Sequence, residues 1–203
     1  MGISERKERE REEMKEMITT AAMKMFLEDG YAKTSIRNIA DSIEYSPGTI
    51  YLYYKDKDEL LYEVQRQAYL KLLEAFKAAV TLQDPLEKLG QLGKAYVKFG
   101  LENPELYDLM FIIRAPTNVD EQLHVDNGLD AFGFLIEILE GCMKENLLVF
   151  KDIHLGALQV WSMVHGLVSL NIRCRLKIMI EDEKDTPMVL NRAVEEYLNS
   201  IRA

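Results

Sequence analysis

The sequence predicts an all-α fold of about nine helices. Apolar residues recur with i, i+3, i+4 spacing in nearly every periodic segment, and no segment shows the alternation that is typical of a strand. Ser, Thr or Asp precedes most of these segments, often with Pro at the first helical position, which is typical of helix N-termini. Hydrophobic residues make up 48% of the chain and charged residues 29%, which is ordinary for a soluble globular protein.

The first helix is predicted to run from about Ser4 to Asp29. Ser4 is a suitable N-cap, and Gly30 can adopt the left-handed conformation that ends a helix. Apolar side chains between Met14 and Phe26 share one face, whereas residues 5–13 are all charged. We interpret these charged turns as a solvated extension that i,i+4 Glu–Arg pairs stabilise.

Two short helices follow, joined by a tight turn. Thr34 is expected to cap the first of them, whose apolar face carries Ile36, Ile39, Ala40 and Ile43. Glu44–Tyr45 leaves room only for a turn, and Ser46 as N-cap then restarts a helix over Pro47 to Tyr53. Two short helices in this arrangement form a helix-turn-helix, whose second helix reads the major groove of DNA.

The second of these helices starts without long side chains, with Ser46, Pro47, Gly48 and Thr49. Thr49 can offer a hydroxyl group to a base edge and a methyl group to thymine, and the free N–H groups of the helix start favour phosphate. The hydroxyl groups of Tyr51 and Tyr53 can reach phosphate, and so can the side chains of Lys55 and Lys57. This segment therefore has the chemistry of a recognition helix.

The same stretch resembles the DNA-binding domain of the TetR family of bacterial transcriptional regulators. The likeness begins at Ala21, Phe26, Gly30 and Tyr31 and is strongest over Gly48-Thr49-Ile50-Tyr51-x-Tyr53-Tyr54-x-x-Lys57-x-x-Leu60. The chain departs from the family at Tyr54, where Phe is usual, and at Ile43-Glu44-Tyr45, where a small residue and Val or Ser are commoner. The resemblance implies DNA contacts from eight residues, namely Thr34, Arg37, Ser46, Gly48, Thr49, Tyr51, Tyr53 and Lys57. We expect Ile50 and Tyr54 to belong to the core instead.

A capping box over residues 56–59 opens a long helix that no Gly or Pro interrupts before Asp84–Pro85. We place a domain boundary near residue 55. Residues 1–55 are predicted to form a helix-turn-helix DNA-binding domain, and residues 56–203 a helical effector-binding and dimerisation domain. Further helices are predicted to begin at Asp84–Pro85, Asn103–Pro104, Val119, Ile153 and Thr186–Pro187.

The segment Ile153 to Leu170 is apolar on nearly all sides. Its length is just sufficient for a membrane span, but polar residues such as Gln159 interrupt it, so we predict no membrane contact. An apolar helix of this kind is expected to be buried on both sides. We expect one side to line a cavity and the other to meet a second subunit, with the last two helices forming a homodimer interface. The pattern Trp161-x-x-x-His165-Gly166 is similar to a Trp…His-Gly signature in a subset of TetR-family C-terminal domains.

An apolar ligand pocket is expected between the helices of the second domain. Its predicted lining is Tyr96, Phe99, Tyr107, Met110, Phe111, Phe132, Trp161 and His165, and ordinary core packing is the alternative for each. His165 is interpreted as a satisfied core histidine, with a ligand contact or a metal ligand as alternatives. The sequence contains no dinucleotide-binding, P-loop or serine-nucleophile motif, so we predict no enzyme activity, no catalytic residue, no cofactor and no metal site.

The net charge of −9 argues against attraction of the whole chain to DNA. Residues 1–60 contain 10 Lys and Arg against 13 Asp and Glu, and residues 33–57 contain 4 against 3. DNA binding must therefore depend on a local patch. An alternative role for the charged first turns is that their cations touch phosphates, namely Arg6, Lys7, Arg9 and Arg11.

The two cysteines, Cys142 and Cys174, each stand in an apolar helical pattern without a second cysteine nearby. We expect both to be reduced, buried thiols. The first residues contain no apolar stretch of the kind found in secretory signals, so we expect a cytoplasmic protein.

These observations predict a homodimeric transcriptional regulator, and we expect a repressor. It is expected to bind a palindromic double-stranded DNA operator, with half-sites about 34–36 Å apart or a multiple of this distance. An unidentified small apolar ligand is expected to release it. Two alternatives stay open: a DNA-binding dimer without a small-molecule effector, and a helical enzyme or carrier with a vestigial DNA-binding head.

Overall fold

The structure is a computed structural model that describes residues 2–113 and 128–203. Nine α-helices within these ranges confirm the all-α prediction, and no β-strand occurs in them. The helices are α1 (Ile3–Glu28), α2 (Ile36–Ser42), α3 (Pro47–Tyr51), α4 (Lys57–Ala79), α5 (Pro85–Glu102), α6 (Pro104–Tyr107), α7 (Leu129–Lys144), α8 (Ile153–Ile172) and α9 (Thr186–Ile201). A π-helical turn, Asp108–Ile112, follows α6. The helix start predicted at Val119 lies outside the described residues.

The helix caps confirm some local predictions and correct two of them. The side chains of Ser46 and Asp84 accept hydrogen bonds from backbone N–H groups three residues later, as expected of N-caps. Ser4, in contrast, lies inside α1, which begins at Ile3. The cap of α2 is Ser35 rather than Thr34, because the Ser35 hydroxyl accepts from the Asn38 N–H at 3.1 Å.

The chain divides into two compact units. Among the described residues, unit 1 comprises residues 2–69 and 105–113, and unit 2 comprises residues 70–104 and 128–203. Helix α4 is continuous and contributes residues to both units. The predicted domain division at residue 55 stays a prediction.

Unit 1 has one apolar core, to which α1, α2, α3, the first part of α4 and the π-helical turn contribute. Ile50 is fully buried and Tyr54 is 6% exposed, which confirms that both belong to the core. The Tyr54 hydroxyl lies 2.8 Å from the Thr19 hydroxyl, so this buried polar group has a partner. The buried side-chain amide of Gln65 also has a partner, since it donates to the Leu109 carbonyl in the π-helical turn at 2.8 Å.

In unit 2, α5 packs against α7, α8 and α9. Gly93 permits the close approach of α9, because a Cβ atom at this position would lie 2.8 Å from Cγ1 of Val194. Lys94 and Glu195 form an ion pair at 2.5 Å between the same two helices. These contacts fix α9 along α5.

The predicted burial of α8 includes a second subunit and is not tested by one chain, whereas the predicted burial of the two cysteines is confirmed for Cys142 and wrong for Cys174. Leu155 is 59% exposed and Leu158 is 53% exposed, so α8 is not buried on both sides within one chain. By length and composition α8 could cross a membrane, a test that core helices of soluble proteins also pass. Cys142 is buried, and burial raises the pKa of its thiol to about 11. Cys174 is exposed, because it lies in a left-handed turn after the end of α8 rather than in an apolar helix face.

Candidate nucleic-acid interface and ligand pocket

Helix α3 separates a buried face from an exposed one. Ile50 faces the core, whereas Gly48, Tyr51 and Leu52 are exposed. Their i, i+3, i+4 spacing places these three residues on one face. Tyr51 is 55% exposed and Leu52 is 78% exposed, so the face presents one aromatic hydroxyl and one aliphatic side chain to the exterior.

Leu52 is a candidate that the sequence analysis missed. Its backbone is still helical, with φ −74° and ψ −19°, so its side chain continues the face of Gly48 and Tyr51. The signal was present in the sequence, since Leu52 follows Gly48 by four positions. We call Gly48, Tyr51 and Leu52 the α3 face below.

The turn before α3 is a Schellman motif at the end of α2. The Tyr45 N–H donates to the Ala40 carbonyl at 3.0 Å, and the Glu44 N–H donates to the Asp41 carbonyl at 3.2 Å. This motif requires a left-handed residue, and Glu44 fills that position with φ +61°. Glycine is the usual residue there because a Cβ atom strains the left-handed conformation.

Glu44→Gly is therefore expected to stabilise the protein by about 0.5–1 kcal/mol. Relief of the backbone strain outweighs the greater freedom of glycine in the unfolded chain. Urea unfolding monitored by circular dichroism measures the difference. Glu28→Gly is the matched control, since Glu28 lies in the last turn of α1 with a right-handed backbone, and this change should destabilise. An unchanged or lower stability of Glu44→Gly would show that the turn is unstrained.

The structure places all eight predicted DNA contacts in unit 1. Besides the α3 face, Arg37 and Ser46 are exposed, whereas Thr49 and Tyr53 are half-buried. The Thr49 hydroxyl lies 3.1 Å from the Ser46 hydroxyl at the start of α3. Thr34 is only 3% exposed, and its hydroxyl donates to the Gly30 carbonyl at 3.0 Å. A DNA contact by Thr34 stays a prediction that its buried side chain does not favour.

The Lys57 side chain makes contacts within unit 1 that its predicted role as a DNA contact did not include. Its Nζ donates to the Tyr31 carbonyl at 2.9 Å and to the Thr34 carbonyl at 3.0 Å. The same ammonium group lies 4.1 Å from the centre of the Tyr31 ring. Lys57 thus ties the turn after α1 to the start of α4, and its contact with phosphate stays a prediction.

The hydroxyl end of the Tyr31 side chain is also held in place. Its hydroxyl donates a hydrogen bond to the Asp58 carboxylate. Burial and then the neighbouring Asp58 carboxylate raise the pKa of Tyr31, so its hydroxyl stays protonated at neutral pH. Tyr31 and Lys57 therefore brace the turn that precedes α2.

Four predicted pocket residues come together in unit 2. The Tyr96 hydroxyl lies 3.1 Å from Nδ1 of His165, and the Trp161 indole N–H donates to the same hydroxyl at 3.4 Å. The Phe132 ring lies 6.1 Å from the Trp161 ring, between centroids. Burial lowers the pKa of His165, which favours its neutral form. The result is a small polar centre among aromatic rings.

The other predicted pocket residues are distributed over both units. Phe99 is buried on α5 in unit 2. Tyr107, Met110 and Phe111 belong to unit 1, where the Tyr107 and Phe111 rings lie 4.8 Å apart at the π-helical turn. The ligand pocket as a whole stays a prediction. No cluster of three or more His, Cys, Asp or Glu that could hold a metal occurs in the described parts of the chain.

Comparison with known families matches both parts of the chain. Residues 18–64 match the family described as bacterial regulatory proteins, tetR family. Residues 89–196, more than half of the chain, match the family described as tetracyclin repressor-like, C-terminal domain. The first match contains the α3 face and Lys57, and the second contains Trp161 and His165.

Individual proteins are similar to this chain in sequence over a short stretch or in fold. The HTH-type transcriptional regulator HbdR from Aromatoleum sp. (strain CIB) is 45% identical over 51 residues, which are 25% of this chain and 22% of that protein. The fatty acid degradation regulator FadR from Bacillus halodurans has the same fold, with a TM-score of 0.71 at 20% identity over 92% of this chain and 99% of the other. A TetR-family transcriptional regulator from Pectobacterium atrosepticum reaches a TM-score of 0.72 at 20% identity over 96% of each chain.

Proposed function

Since the chain belongs to the TetR family of bacterial transcriptional regulators, we propose that it is a cytoplasmic repressor that binds a palindromic operator as a homodimer. The observation that carries the proposal is the α3 face. It combines a small residue for close approach with a hydroxyl group and an aliphatic group that stand clear of the core. We propose that this face enters the major groove while Arg37 contacts the phosphate backbone.

The proposed dimer uses the exposed side of α8. Leu155, Leu158 and Leu170 are 59%, 53% and 46% exposed on this helix, and Met188 at the start of α9 is 64% exposed. Burial of such apolar side chains against a second copy removes them from water. Dimerisation places two heads on one duplex, which raises the affinity far above that of a single head.

The proposed effector is a small apolar molecule that binds beside Tyr96, Trp161 and His165. Aromatic rings with few polar groups are typical of such sites. We propose that effector binding shifts the population of α4 conformations and so changes how the two heads fit the operator. Effector and operator must then weaken each other by the same factor.

Trp161 is the single tryptophan of the chain and reports on this site directly. A true effector should change Trp161 fluorescence and release the operator over the same concentration range. A compound that saturates the fluorescence change but leaves operator affinity unaltered is not an effector. If every compound that binds leaves operator affinity unaltered, the protein is a DNA-binding dimer without a small-molecule effector.

The DNA-binding proposal predicts a defined effect of Arg37→Ala. Duplexes that bind the wild-type protein are first selected from a randomised pool. Removal of one cation from each head should weaken binding to the selected duplex and reduce the slope of log affinity against log salt by about one for each phosphate that Arg37 neutralises. Measurement of binding by fluorescence anisotropy at several salt concentrations tests this.

Lys151→Ala is the matched control, because Lys151 is an exposed cation of unit 2. Its removal should leave the salt slope unchanged. If both variants behave like the wild-type protein, Arg37 makes no phosphate contact. A wild-type protein that enriches no duplex even at low salt would favour the vestigial-head alternative.

A further inference from the structure

Leu52 is exposed in a way that folding does not explain. It is 78% exposed, and among the described large hydrophobic residues only Ile178 is more exposed. The core of unit 1 uses its neighbours Ile50 and Tyr54 instead. An aliphatic side chain in this position therefore adds little to the packing of unit 1.

The surroundings of Leu52 leave its side chain accessible. Gly48 lies one helical turn before it and has no side chain, and a Cβ atom at Gly48 would meet only the Ser46 hydroxyl at 3.6 Å. Tyr51 lies beside Leu52 on the same face and is 55% exposed. A groove-binding α3 face would therefore bring the Leu52 side chain against base-pair edges.

The chemistry of those edges restricts what Leu52 can recognise. Base-pair edges in the major groove present hydrogen-bond donors and acceptors, together with one apolar group, the C5 methyl group of thymine. A leucine side chain makes no hydrogen bond, so amino, carbonyl and phosphate groups gain nothing from it. Contact with a methyl group removes apolar surface of both partners from water.

We propose that Leu52 selects thymine at one position of each operator half-site, through contact of its side chain with the C5 methyl group. This inference rests on the proposed function, since it requires α3 to lie in the major groove. It also implies that 5-methylcytosine is accepted at this position better than cytosine, because it presents a methyl group at the same place in the groove.

The test replaces each thymine of a selected duplex in turn with deoxyuridine, which differs only by the missing methyl group. For the wild-type protein, one replacement in each half-site should weaken binding about threefold to tenfold. Leu52→Ala should bind the thymine duplex more weakly and show no further loss with deoxyuridine at that position. Because Leu52 is exposed, this variant should keep the thermal unfolding midpoint of the wild-type protein.

Leu82→Ala is the matched control, since Leu82 is 44% exposed in unit 2. This variant should retain the full sensitivity to deoxyuridine. Equal sensitivity in Leu52→Ala and in the wild-type protein would overturn the inference, and so would a wild-type protein that tolerates every replacement. Neither result would affect the proposed function. A failure of the wild-type protein to enrich any duplex would overturn both.

Discussion

Gly48→Leu is expected to weaken operator binding strongly without harm to the fold. A side chain at this position points out of the protein, because a Cβ atom would meet only the Ser46 hydroxyl at ordinary contact distance, 3.6 Å. Leucine also favours the helix more than glycine does, by about 0.5–1 kcal/mol. In the complex, however, the new side chain occupies space between α3 and the duplex.

The expected loss of affinity is large because it occurs in both heads of the dimer. Overpacking costs about 1–3 kcal/mol at each site, so two heads together lose about 2–6 kcal/mol, which weakens binding about thirtyfold to more than ten-thousandfold. Anisotropy titrations with the selected duplex measure the affinity, and thermal unfolding measures the fold. The variant should thus be at least as stable as the wild-type protein while it binds the selected duplex much more weakly.

Gly133→Leu is the matched control for this prediction. Gly133 lies on α7 in unit 2, is exposed, and has no neighbour within 4 Å of an added Cβ atom. The same chemical change there should preserve DNA binding. If Gly48→Leu binds the selected duplex with wild-type affinity, the α3 face does not enter the groove.

Lys57→Met is expected to lower the stability of unit 1 and its DNA affinity together. Methionine keeps most of the length of the side chain but removes both hydrogen bonds to the Tyr31 and Thr34 carbonyls and the contact with the Tyr31 ring. Because Lys57 is half-buried rather than fully buried, we expect a cost of about 1–2 kcal/mol. Chemical unfolding of the two proteins in urea measures it.

Lys55→Met separates this structural effect from simple loss of charge. Lys55 is exposed two positions before Lys57. Its replacement should reduce the salt dependence of DNA binding and leave the unfolding midpoint unchanged. If Lys57→Met is as stable as Lys55→Met, the hydrogen bonds of Lys57 add nothing to the stability of unit 1, and the role of Lys57 is limited to contact with phosphate.

Local chemistry in the sequence was sufficient to predict the helix-turn-helix. Ser46 and Pro47 mark the start of α3 without reference to any distant residue, and the periodicity of Ile36, Ile39 and Ala40 marks the buried face of α2. Where two adjacent residues could each cap a helix, local chemistry was not sufficient, and the prediction of Thr34 as the cap of α2 was wrong. Ser35 rather than Thr34 takes this role because the Thr34 hydroxyl is directed to the Met25 carbonyl in the last turn of α1 and to the Gly30 carbonyl just after it.

Contacts between distant residues could not be predicted in the same way. Lys57 bonds to carbonyl groups more than twenty positions earlier, so its place beside the recognition helix predicted only a phosphate contact. The hydrogen bonds of Tyr96 with Trp161 and His165 join two helices, and composition predicted an aromatic pocket but not this polar centre. For α8, the sequence predicted one side against a second subunit but not which residues form that side, since an all-apolar helix fits a core and a subunit interface equally well.

The most direct test of the proposed function is the sequence and stoichiometry of the duplex that the protein selects from a randomised pool at low salt. We expect an inverted repeat whose half-sites are centred about 10–10.5 base pairs apart, or a multiple of this spacing. Mass measurement of the complex should find two protomers for each duplex. A selected site without an inverted repeat, bound by one protomer, would contradict the account, as would the absence of any selected sequence.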